Sequence, residues 1–228
     1  MRGRVERIGN ATLYHGDCRD ILLGLRYDVL VTDPPYGIER AMGGTINNPK
    51  GKGAYGGAFV DDQASLNALI AEAIAPAIRA AKRAAITPGR LNVASYPRAD
   101  DVGMFYHPAA TSMSFWGRAT WQPILFYGRD PRIGKTIQPL HLTVTERPAK
   151  VDHPCPKPLG GWRWLMDRAA LPGETVCDPF VGSGTGGIVA AALGLPFIGI
   201  ELDERWFDMS CERIEEAQRQ GKLFGEAA

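Results

Sequence analysis

The sequence predicts an α/β domain built on a mostly parallel β-sheet, with helices on both faces. The apolar run Val29–Thr32 is rich in β-branched residues and too short for a helix, which is typical of a buried parallel strand. Residues 174–177 are also strand-like, and a glycine-rich turn and an alanine-rich helical segment at 188–193 follow them. Strand, turn and helix in this order form the repeating unit of a parallel sheet.

Further elements follow from short apolar runs and from helical periodicity. Residues 11–15 predict a strand followed by a helical pattern through Leu25, and residues 64–82 predict a helix that Pro76 kinks or splits. The aromatic residues of two later strand-like runs are predicted to lie in the core: Phe115, Trp116, Trp121, Phe126 and Tyr127. Seven strands are predicted, beginning near Ala11, Val29, Ala84, Ser112, Trp121, Thr175 and Pro196.

Length and composition indicate one domain over residues 1–228. A chain of 228 residues with 45% hydrophobic residues can bury one substantial core. It has no signal-peptide pattern and no apolar run near the ~18 residues of a membrane span, so we expect a cytoplasmic protein that does not enter a membrane. The four cysteines form no Cys-x-x-Cys pair, which favours reduced thiols over a disulfide framework or a metal site.

The tetrapeptide Asp33-Pro34-Pro35-Tyr36 follows the predicted strand Val29–Thr32, at the edge of an open α/β sheet where ligands bind. The two prolines fix φ, so a carboxylate and an aromatic ring are presented on a stiff backbone. The carboxylate of Asp33 and the carbonyl of Pro34 suit the two N–H groups of a nucleobase amine, and the ring of Tyr36 suits stacking of an extruded base. An ordinary strand-to-loop turn is the alternative interpretation.

A second motif, D-P-F-V-G-S-G-T-G, occupies residues 178–186 between the second strand-like run and the alanine-rich helix. Glycines at such a turn let backbone N–H groups approach a ligand, and the helix N-terminus favours an anionic group. The next strand-like run ends in Glu201, where a carboxylate suits a ribose diol, as in nucleotide-binding α/β folds. These features predict a nucleotide-like cofactor at the same sheet edge.

Together, these motifs resemble those of the class β amino-methyltransferases of DNA, which use S-adenosylmethionine. That family pairs a D/N/S-P-P-Y/F/W catalytic motif with an F-x-G-x-G cofactor motif, found here at residues 33–36 and 180–184. Residues 153–158, H-P-C-P-K-P, resemble the H-P-x-x-K-P segment upstream of the cofactor loop. The resemblance implies a Rossmann-like methyltransferase fold, circularly permuted because the catalytic motif precedes the cofactor motif.

The resemblance further implies direct transfer of a methyl group from S-adenosylmethionine to a base flipped out of duplex DNA. The catalytic residues it implies are Asp33, Pro34, Pro35 and Tyr36. The cofactor-binding residues it implies are Asp17, Cys18, Asp33, His153, Lys157, Asp178, Phe180, Gly182, Ser183, Gly184, Thr185 and Glu201. Asp17 has an alternative role as a helix N-cap, and His153 and Lys157 have structural alternatives.

The target atom is predicted from the first residue of the catalytic motif. Asp at this position is typical of the adenine-N6 enzymes of the family, whereas Ser is more usual in cytosine-N4 enzymes. Adenine in DNA is therefore the expected substrate, as in restriction-modification methylases, and cytosine N4 is the alternative. A non-catalytic nucleic-acid or cofactor-binding protein on the same fold is a further alternative, which the intact Asp33, Tyr36 and Glu201 disfavour.

Two segments are predicted to face DNA. Residues 37–59 form a long glycine-rich stretch, expected to be a mobile flap over DNA or else a disordered insertion. Residues 128–151 lie where class β enzymes carry a target-recognition region. Because this segment is short, reading of few bases, dependence on a second subunit in a homodimer, and a relaxed site all remain open. The predicted DNA contacts are Arg40, Lys50, Lys52, Arg129, Arg132 and Lys135.

Overall fold

The computed structural model describes residues 3–37, 60–110, 113–114, 116–134, 139–153 and 155–225. Its strands are β1 (Val5–Ile8), β2 (Ala11–His15), β3 (Val29–Thr32), β4 (Arg83–Ile86), β5 (Asp101–Tyr106), β6 (Met113–Ser114), β7 (Gly117–Arg118), β8 (Trp121–Tyr127), β9 (His141–Thr143), β10 (Val176–Asp178) and β11 (Phe197–Glu201). Its α-helices are α1 (Cys18–Ile21), α2 (Gln63–Leu69), α3 (Ala75–Ala80), α4 (Leu159–Ala169), α5 (Thr185–Ala192) and α6 (Glu204–Gly225).

The main sheet has the strand order β1-β2-β11-β10-β3-β4-β8-β5-β9 within the described residues. Its centre is parallel, since β2, β11, β10, β3 and β4 pair with one another in that direction. Strand β8 runs antiparallel to both β4 and β5, and β1 runs antiparallel to β2. The carboxyl ends of the five central strands therefore meet at one edge.

The sheet has nine strands in the described part of the chain, so the prediction of seven is wrong in number. Three strands were not predicted: β1 has two charged residues between its two apolar ones, β5 contains a glycine and begins with Asp101, and β9 has only three residues. The predicted strand near Ser112 does not join the main sheet. Its residues Met113–Ser114 instead pair with Gly117–Arg118 as a separate two-stranded ribbon.

Two apolar clusters, one on each face of the sheet, form the core. Val29 and Val31 point to the face covered by α4, α5 and α6, where Leu165 and Phe207 are fully buried. Leu30, between the two valines, points to the opposite face, where Leu66 and other residues of α2 pack. A strand buried on both faces is expected to be apolar at every position. The predicted helices on both faces are confirmed.

The predicted helix over residues 64–82 is split as expected from Pro76. Helix α2 and helix α3 are joined by a π-helical turn, Ile70–Ile74, and Pro76 lies in the first turn of α3. A proline in a continuous helix lacks the N–H that bonds to the carbonyl four residues earlier, so the ladder must be interrupted near it. Among the described residues, no helix has the length and apolar character needed to cross a membrane.

The aromatic residues predicted to be core are only partly buried. Tyr127 is buried and Phe126 is half-buried against Trp164. Trp121 is exposed at the beginning of β8, and Trp116 is fully exposed because it lies in the turn between β6 and β7. Phe115 falls outside the described residues.

Candidate active site

The site lies at the carboxyl edge of the parallel strands. Asp33 follows β3, Thr87 follows β4, and Asp178 and Glu201 are the last residues of β10 and β11. Because these four strands are neighbours in the sheet, residues far apart in sequence meet there. The predicted catalytic and cofactor motifs are thus brought to one edge by the strand order.

Asp33 is the acceptor at the centre of a cluster of donors. Its Oδ1 accepts from the hydroxyl of Tyr36 at 2.5 Å, from the hydroxyl of Thr87, and from Nε2 of Gln122 at 3.3 Å. Its Oδ2 forms an ion pair with Lys157 Nζ at 2.5 Å. Three donors at Oδ1 exhaust its lone pairs, so Oδ2 is the oxygen at which the carboxylate can exchange partners. Pro34 is buried beside it and Pro35 is half-buried.

Lys157 joins the catalytic motif to the cofactor loop. Besides the ion pair with Asp33, its Nζ lies 5.5 Å from the ring centroid of Tyr36, and its backbone carbonyl accepts from Thr185 Oγ1 at 3.5 Å. Burial opposes the charge of Lys157, yet its neighbours together, Asp33 foremost, raise the pKa of the ammonium group. Burial, followed by the charge of Asp33, raises the pKa of Tyr36, so its hydroxyl stays protonated and donates.

The loop between β10 and α5 takes a conformation that only glycine adopts readily. Gly182 has φ +52° and Gly184 has φ +80°. A Cβ at Gly182 would lie 3.2 Å from His153 Nε2, and one at Gly184 would lie 3.0 Å from the Cα of Ser210. Both positive φ and close approach exclude a side chain here, which is why the motif needs these two glycines.

Glu201 closes this loop from the next strand. Its Oε2 accepts from the backbone N–H of Gly182 at 2.8 Å, and its Oε1 accepts from that of Asp203 at 3.1 Å. Its carbonyl accepts from Gly16 N at 2.9 Å, which ties the end of β2 to the same corner. Burial raises the pKa of Glu201 despite these bonds. Each carboxylate oxygen retains a lone pair, so the group can still accept from a diol.

Asp178 lies inside the loop rather than on its surface. It is 2% exposed and accepts at Oδ1 from the hydroxyl of Thr32 at 2.6 Å and from Phe180 N at 3.0 Å. Burial raises the pKa of this carboxyl to about 7. Phe180 itself is half-buried against the cluster that contains α2. The geometry makes Asp178 a support for the loop backbone.

Asp17 and Cys18 lie at the beginning of α1, beside the β2 end. The side chain of Asp17 accepts from Arg19 N at 2.9 Å, so the predicted N-cap role is confirmed. Its Oδ2 also pairs with Arg19 Nη2 at 2.5 Å, and the hydrogen bond from Arg19 lowers the pKa of Asp17. Cys18 is buried, and burial raises the pKa of its thiol to about 12.

The remaining predicted cofactor residues surround the helix start. Ser183 and Thr185 are buried, with their hydroxyl oxygens 3.2 Å apart. His153 packs edge-on against Trp206 at a ring-centroid distance of 4.7 Å. Burial and the charge of Lys157 lower the pKa of His153 to about 4, so its imidazole is neutral near pH 7. The described residues contain no group of three or more His, Cys, Asp or Glu side chains arranged for a metal ion.

Of the residues predicted to contact DNA, the structure describes two, and their surroundings differ. Arg129 is exposed, whereas Arg132 donates from its guanidinium to the carbonyls of Arg168 at 3.3 Å and Ala170 at 3.0 Å. The guanidinium of Arg132 is thus already hydrogen-bonded to the end of α4. The predicted flap over residues 37–59, apart from Gly37, lies outside the described residues, and so do Arg40, Lys50, Lys52 and Lys135.

Sequence reasoning did not assign three polar residues that touch the catalytic motif. Thr87 donates to Asp33, Gln122 Nε2 also donates to the Tyr36 hydroxyl at 2.5 Å, and Asn92 Nδ2 donates to the Tyr36 carbonyl at 2.6 Å. Thr87 ends a predicted parallel strand, and that position alone could have indicated it. Gln122 is a polar residue within the apolar run of β8, a weaker signal that requires knowing the strand pairing.

The family model for N6/N4 methyltransferases, described as DNA methylase, matches residues 95–212, which is more than half of the chain. This chain belongs to that family of DNA methylases. The matched region contains Gln122, Lys157, the glycine loop and Glu201, and it begins after the Asp33-Pro34-Pro35-Tyr36 motif. The family to which the sequence motifs pointed is therefore confirmed.

Individual DNA methylases match over shorter stretches. The Type II methyltransferase M2.DpnII of Streptococcus pneumoniae is 40% identical over 67 residues, which are 28% of this chain and 24% of that protein. The DNA adenine methyltransferase YhdJ of Escherichia coli K12 is 39% identical over 66 residues, 29% of this chain and 22% of that protein. The matches thus span about a quarter of the length of these relatives.

Solved structures resemble this chain over nearly its whole length. The M1.HpyAVI–SAM complex has a TM-score of 0.65 at 19% identity, covering 89% of this chain and 99% of that one. The cytosine-N4-specific PvuII DNA methyltransferase has a TM-score of 0.64 at 14% identity, covering 94% and 93%. The predicted Rossmann-like methyltransferase fold is confirmed.

Proposed function

We propose that this chain transfers a methyl group from S-adenosylmethionine to the N6 amine of adenine in DNA, acting on a base extruded from the duplex. The observation that carries this proposal is the junction at Lys157. Its ammonium lies 2.5 Å from Asp33 Oδ2, while its own carbonyl bonds to Thr185 at the start of α5. An acceptor held by Asp33 and a donor held by the glycine loop would therefore be neighbours.

The acceptor side provides orientation for an exocyclic amine. Asp33 is fixed through Oδ1, and an amine N–H can donate to Oδ2 once Lys157 leaves it. The second N–H can donate to the carbonyl of Pro34. Lys157 also lies over the Tyr36 ring, so a base that stacks there displaces this ammonium from both contacts.

The cofactor side fits an adenosyl group. The half-buried carboxylate of Glu201 retains acceptor capacity for two ribose hydroxyls, and Asp17 lies at the adjoining β2 end, where it can accept from an adenine amine. The positive φ of Gly182 and Gly184 keeps the loop free of side chains beside the start of α5. His153 and Lys157 complete this side, where the methionine part of the ligand would lie.

S-adenosylmethionine supplies a methyl group on a cationic sulfur, which is already an activated leaving group. The chain must then chiefly hold the amine in line and exclude alternative acceptors. Hydrogen bonds from the amine to Asp33 and to the Pro34 carbonyl draw the nitrogen towards tetrahedral geometry and direct its lone pair. The methylated amine would lose one proton, for which Asp33 is the neighbouring base on the way to solvent, and the demethylated cofactor would leave as a neutral thioether. No covalent bond to the protein is required for this transfer.

Adenine is the favoured target because Asp occupies position 33 and because relatives such as YhdJ are adenine methyltransferases. Cytosine N4 remains the alternative, and PvuII is an example of a cytosine-N4 enzyme with this fold. Arg129 is the described residue proposed for the DNA surface, and the basic residues of 38–59 and Lys135 remain predictions. A homodimer and a cytoplasmic location also remain predictions.

The test is transfer of labelled methyl from S-adenosylmethionine to plasmid DNA isolated from a methylation-deficient host, followed by mass analysis of the nucleosides. We expect N6-methyladenine from the unchanged chain. Asp33→Ala should lower its formation by at least about 1,000-fold while cofactor affinity changes little, because the carboxylate acts on the acceptor. Asp167→Ala, which removes an exposed carboxylate of α4, is the matched control.

The products separate the alternatives. N4-methylcytosine would retain the mechanism and overturn the choice of base. Cofactor binding without methylation of any DNA would contradict the proposed activity. Methylation that survives in Asp33→Ala would overturn the assignment of Asp33.

A further inference from the structure

A tight turn follows β4 at the same sheet edge as the candidate active site. Gly89 and Asn92 are its ends, joined by a hydrogen bond from Asn92 N to the Gly89 carbonyl at 3.4 Å. Arg90 and Leu91 are its two central residues. The side chain of Leu91 projects into solvent and is 90% exposed.

Both ends of this turn contact the predicted base-stacking residue. Asn92 is 3% exposed, and its Nδ2 donates to the carbonyl of Tyr36 at 2.6 Å and to that of Pro88 at 3.2 Å. Gly89 has φ +76°, and a Cβ there would lie 3.0 Å from carbons of the Tyr36 ring. The turn is therefore fastened to the catalytic motif, and Leu91 lies between the two residues that approach Tyr36.

The charge around this turn suits a polyanion. Residues 84–99 contain Arg90 and Arg98 and no acidic residue. Within the described residues, neither arginine takes part in an ion pair or in a side-chain hydrogen bond. The other basic residues of this region, Lys82 and Arg83, lie at the opposite sheet edge and are paired with Asp28 and Glu174.

A single exposed leucine is ordinary on a protein surface. Leu91 differs from the similarly exposed Leu23 in its setting, because it lies between two anchor points on the catalytic motif and beside unpaired arginines. Extrusion of a base leaves a gap in the stack, and proteins that unstack DNA commonly fill or open such a step with an apolar side chain such as leucine.

We propose that Leu91 is the residue that enters the duplex at the target step, with Arg90 beside it contacting the DNA backbone. The inference rests on the proposed function, since it assigns the element that moves the base towards Tyr36. The partner is duplex DNA, and single-stranded DNA does not require the wedge. Leu91 therefore acts on the substrate's stacking and not on methyl transfer itself.

The test compares methylation of duplex and single-stranded DNA by Leu91→Ala, with Leu23→Ala as the matched control. We expect Leu91→Ala to lose about tenfold or more of its rate on duplex DNA and to remain within about twofold on the same DNA after strand separation. A mismatch placed at the target base should restore the duplex rate, because an unpaired base is cheaper to extrude. Leu23→Ala should match the unchanged chain on both substrates.

Equal rates of Leu91→Ala and the unchanged chain on duplex DNA would overturn the inference. An equal loss on duplex and single-stranded DNA would also overturn it, because the turn would then act through Tyr36 or through the fold. Thermal unfolding and cofactor affinity of the variant distinguish those two causes. Failure of the unchanged chain on every DNA substrate would contradict the proposed function itself.

Discussion

The two edges of the central sheet use the same kinds of charged residue in opposite ways. At the amino edge, Lys82 lies 2.9 Å from Asp28 and 3.6 Å from Glu174, and Arg83 is also bonded to Glu174. The hydrogen bond from Lys82 lowers the pKa of Asp28. Burial opposes the charge of Glu174, but the Leu171 N–H and Arg83 outweigh it and lower its pKa.

At the carboxyl edge the carboxylates have fewer cations beside them, and Asp178 is buried while Asp33 and Glu201 are half-buried. Burial raises the pKa of both Asp178 and Glu201, whose partners are a hydroxyl and backbone N–H groups. Lys157 is the cation of this edge that faces Asp33, and the target amine must replace it there for the proposed reaction. The carboxylates of this edge are thus partly shielded from water and can still accept hydrogen bonds from a ligand.

This difference indicates that charged residues at the amino edge stabilise the fold, whereas those at the carboxyl edge are arranged for ligands. Paired charges at the amino edge are already satisfied, so removing one partner should affect folding. Under-compensated carboxylates at the carboxyl edge reduce stability at neutral pH, which is the arrangement expected where groups await a ligand. Removing a carboxylate should therefore lower stability at the amino edge, whereas at the carboxyl edge it should raise stability or lower activity.

The largest expected effect is a gain in stability from Asp178→Asn at alkaline pH. The folded carboxyl has a pKa of about 7 against an ordinary value of 3.8, so the folded state holds a proton that the unfolded state has lost between these values. Stability of the unchanged chain should fall across that window and level off above about pH 7. The loss is at most about 4 kcal/mol at pH 8, from about 1.4 kcal/mol per pKa unit.

Urea unfolding of both proteins at pH 4 and pH 8 measures this effect. An asparagine Oδ1 can still accept from Thr32 and Phe180 N, so the variant should be nearly as stable as the unchanged chain at pH 4 and more stable at pH 8. Cofactor affinity should remain within a few-fold. A parallel pH dependence in the two proteins would show that Asp178 does not carry the difference between the edges.

At the amino edge, Glu174→Ala should lower the free energy of unfolding by about 3 kcal/mol, because it leaves the half-buried guanidinium of Arg83 without its carboxylate. The methylation rate per folded molecule should not change. Glu212→Ala, which removes an exposed carboxylate of α6, is the control for stability. A rate loss at equal stability would mean that the two edges are coupled.

The sequence was sufficient for features that depend on local pattern. The strand Val29–Thr32, the motif that follows it, the glycine loop and the carboxylate at Glu201 are each visible in consecutive residues. The same holds for the split at Pro76, because proline disrupts a helix wherever it occurs inside one. Asp33, Tyr36, Asp178, Gly182 and Glu201 of the predicted site all lie in these local motifs.

Features that depend on tertiary pairing were not predictable in this way. Strand β5 exposes Val102 and Met104 on one face, so its pattern does not alternate cleanly between apolar and polar residues. The Asp33–Lys157 ion pair joins a residue that follows β3 to one in the loop before α4, and periodicity contains no information about such a contact. Residues 38–59, 135–138 and 226–228 lie outside the described structure.

The smallest expected effect comes from removing the side-chain amide of Gln122 at the carboxyl edge. Gln122→Leu removes the Nε2 donor that reaches both Asp33 Oδ1 and the Tyr36 hydroxyl, while keeping a side chain of similar size on β8. We expect kcat to fall about tenfold, corresponding to one charge-assisted hydrogen bond, with KM for DNA and cofactor affinity little changed. Gln220→Leu on exposed α6 is the matched control.

If Gln122 acts by positioning Asp33 and Tyr36, a second result is expected from a double variant. Since Gln122 acts by holding Asp33 and Tyr36, its loss should add nothing once Asp33 is alanine, so Asp33→Ala and the double variant should share one residual rate. The free energy of unfolding should change by less in Gln122→Leu than in Glu174→Ala, because the amide lies at the carboxyl edge, where the substrate is proposed to bind. A loss of stability without a loss of kcat would assign Gln122 to folding. The functional role of the carboxyl edge would then not extend from β4 to β8.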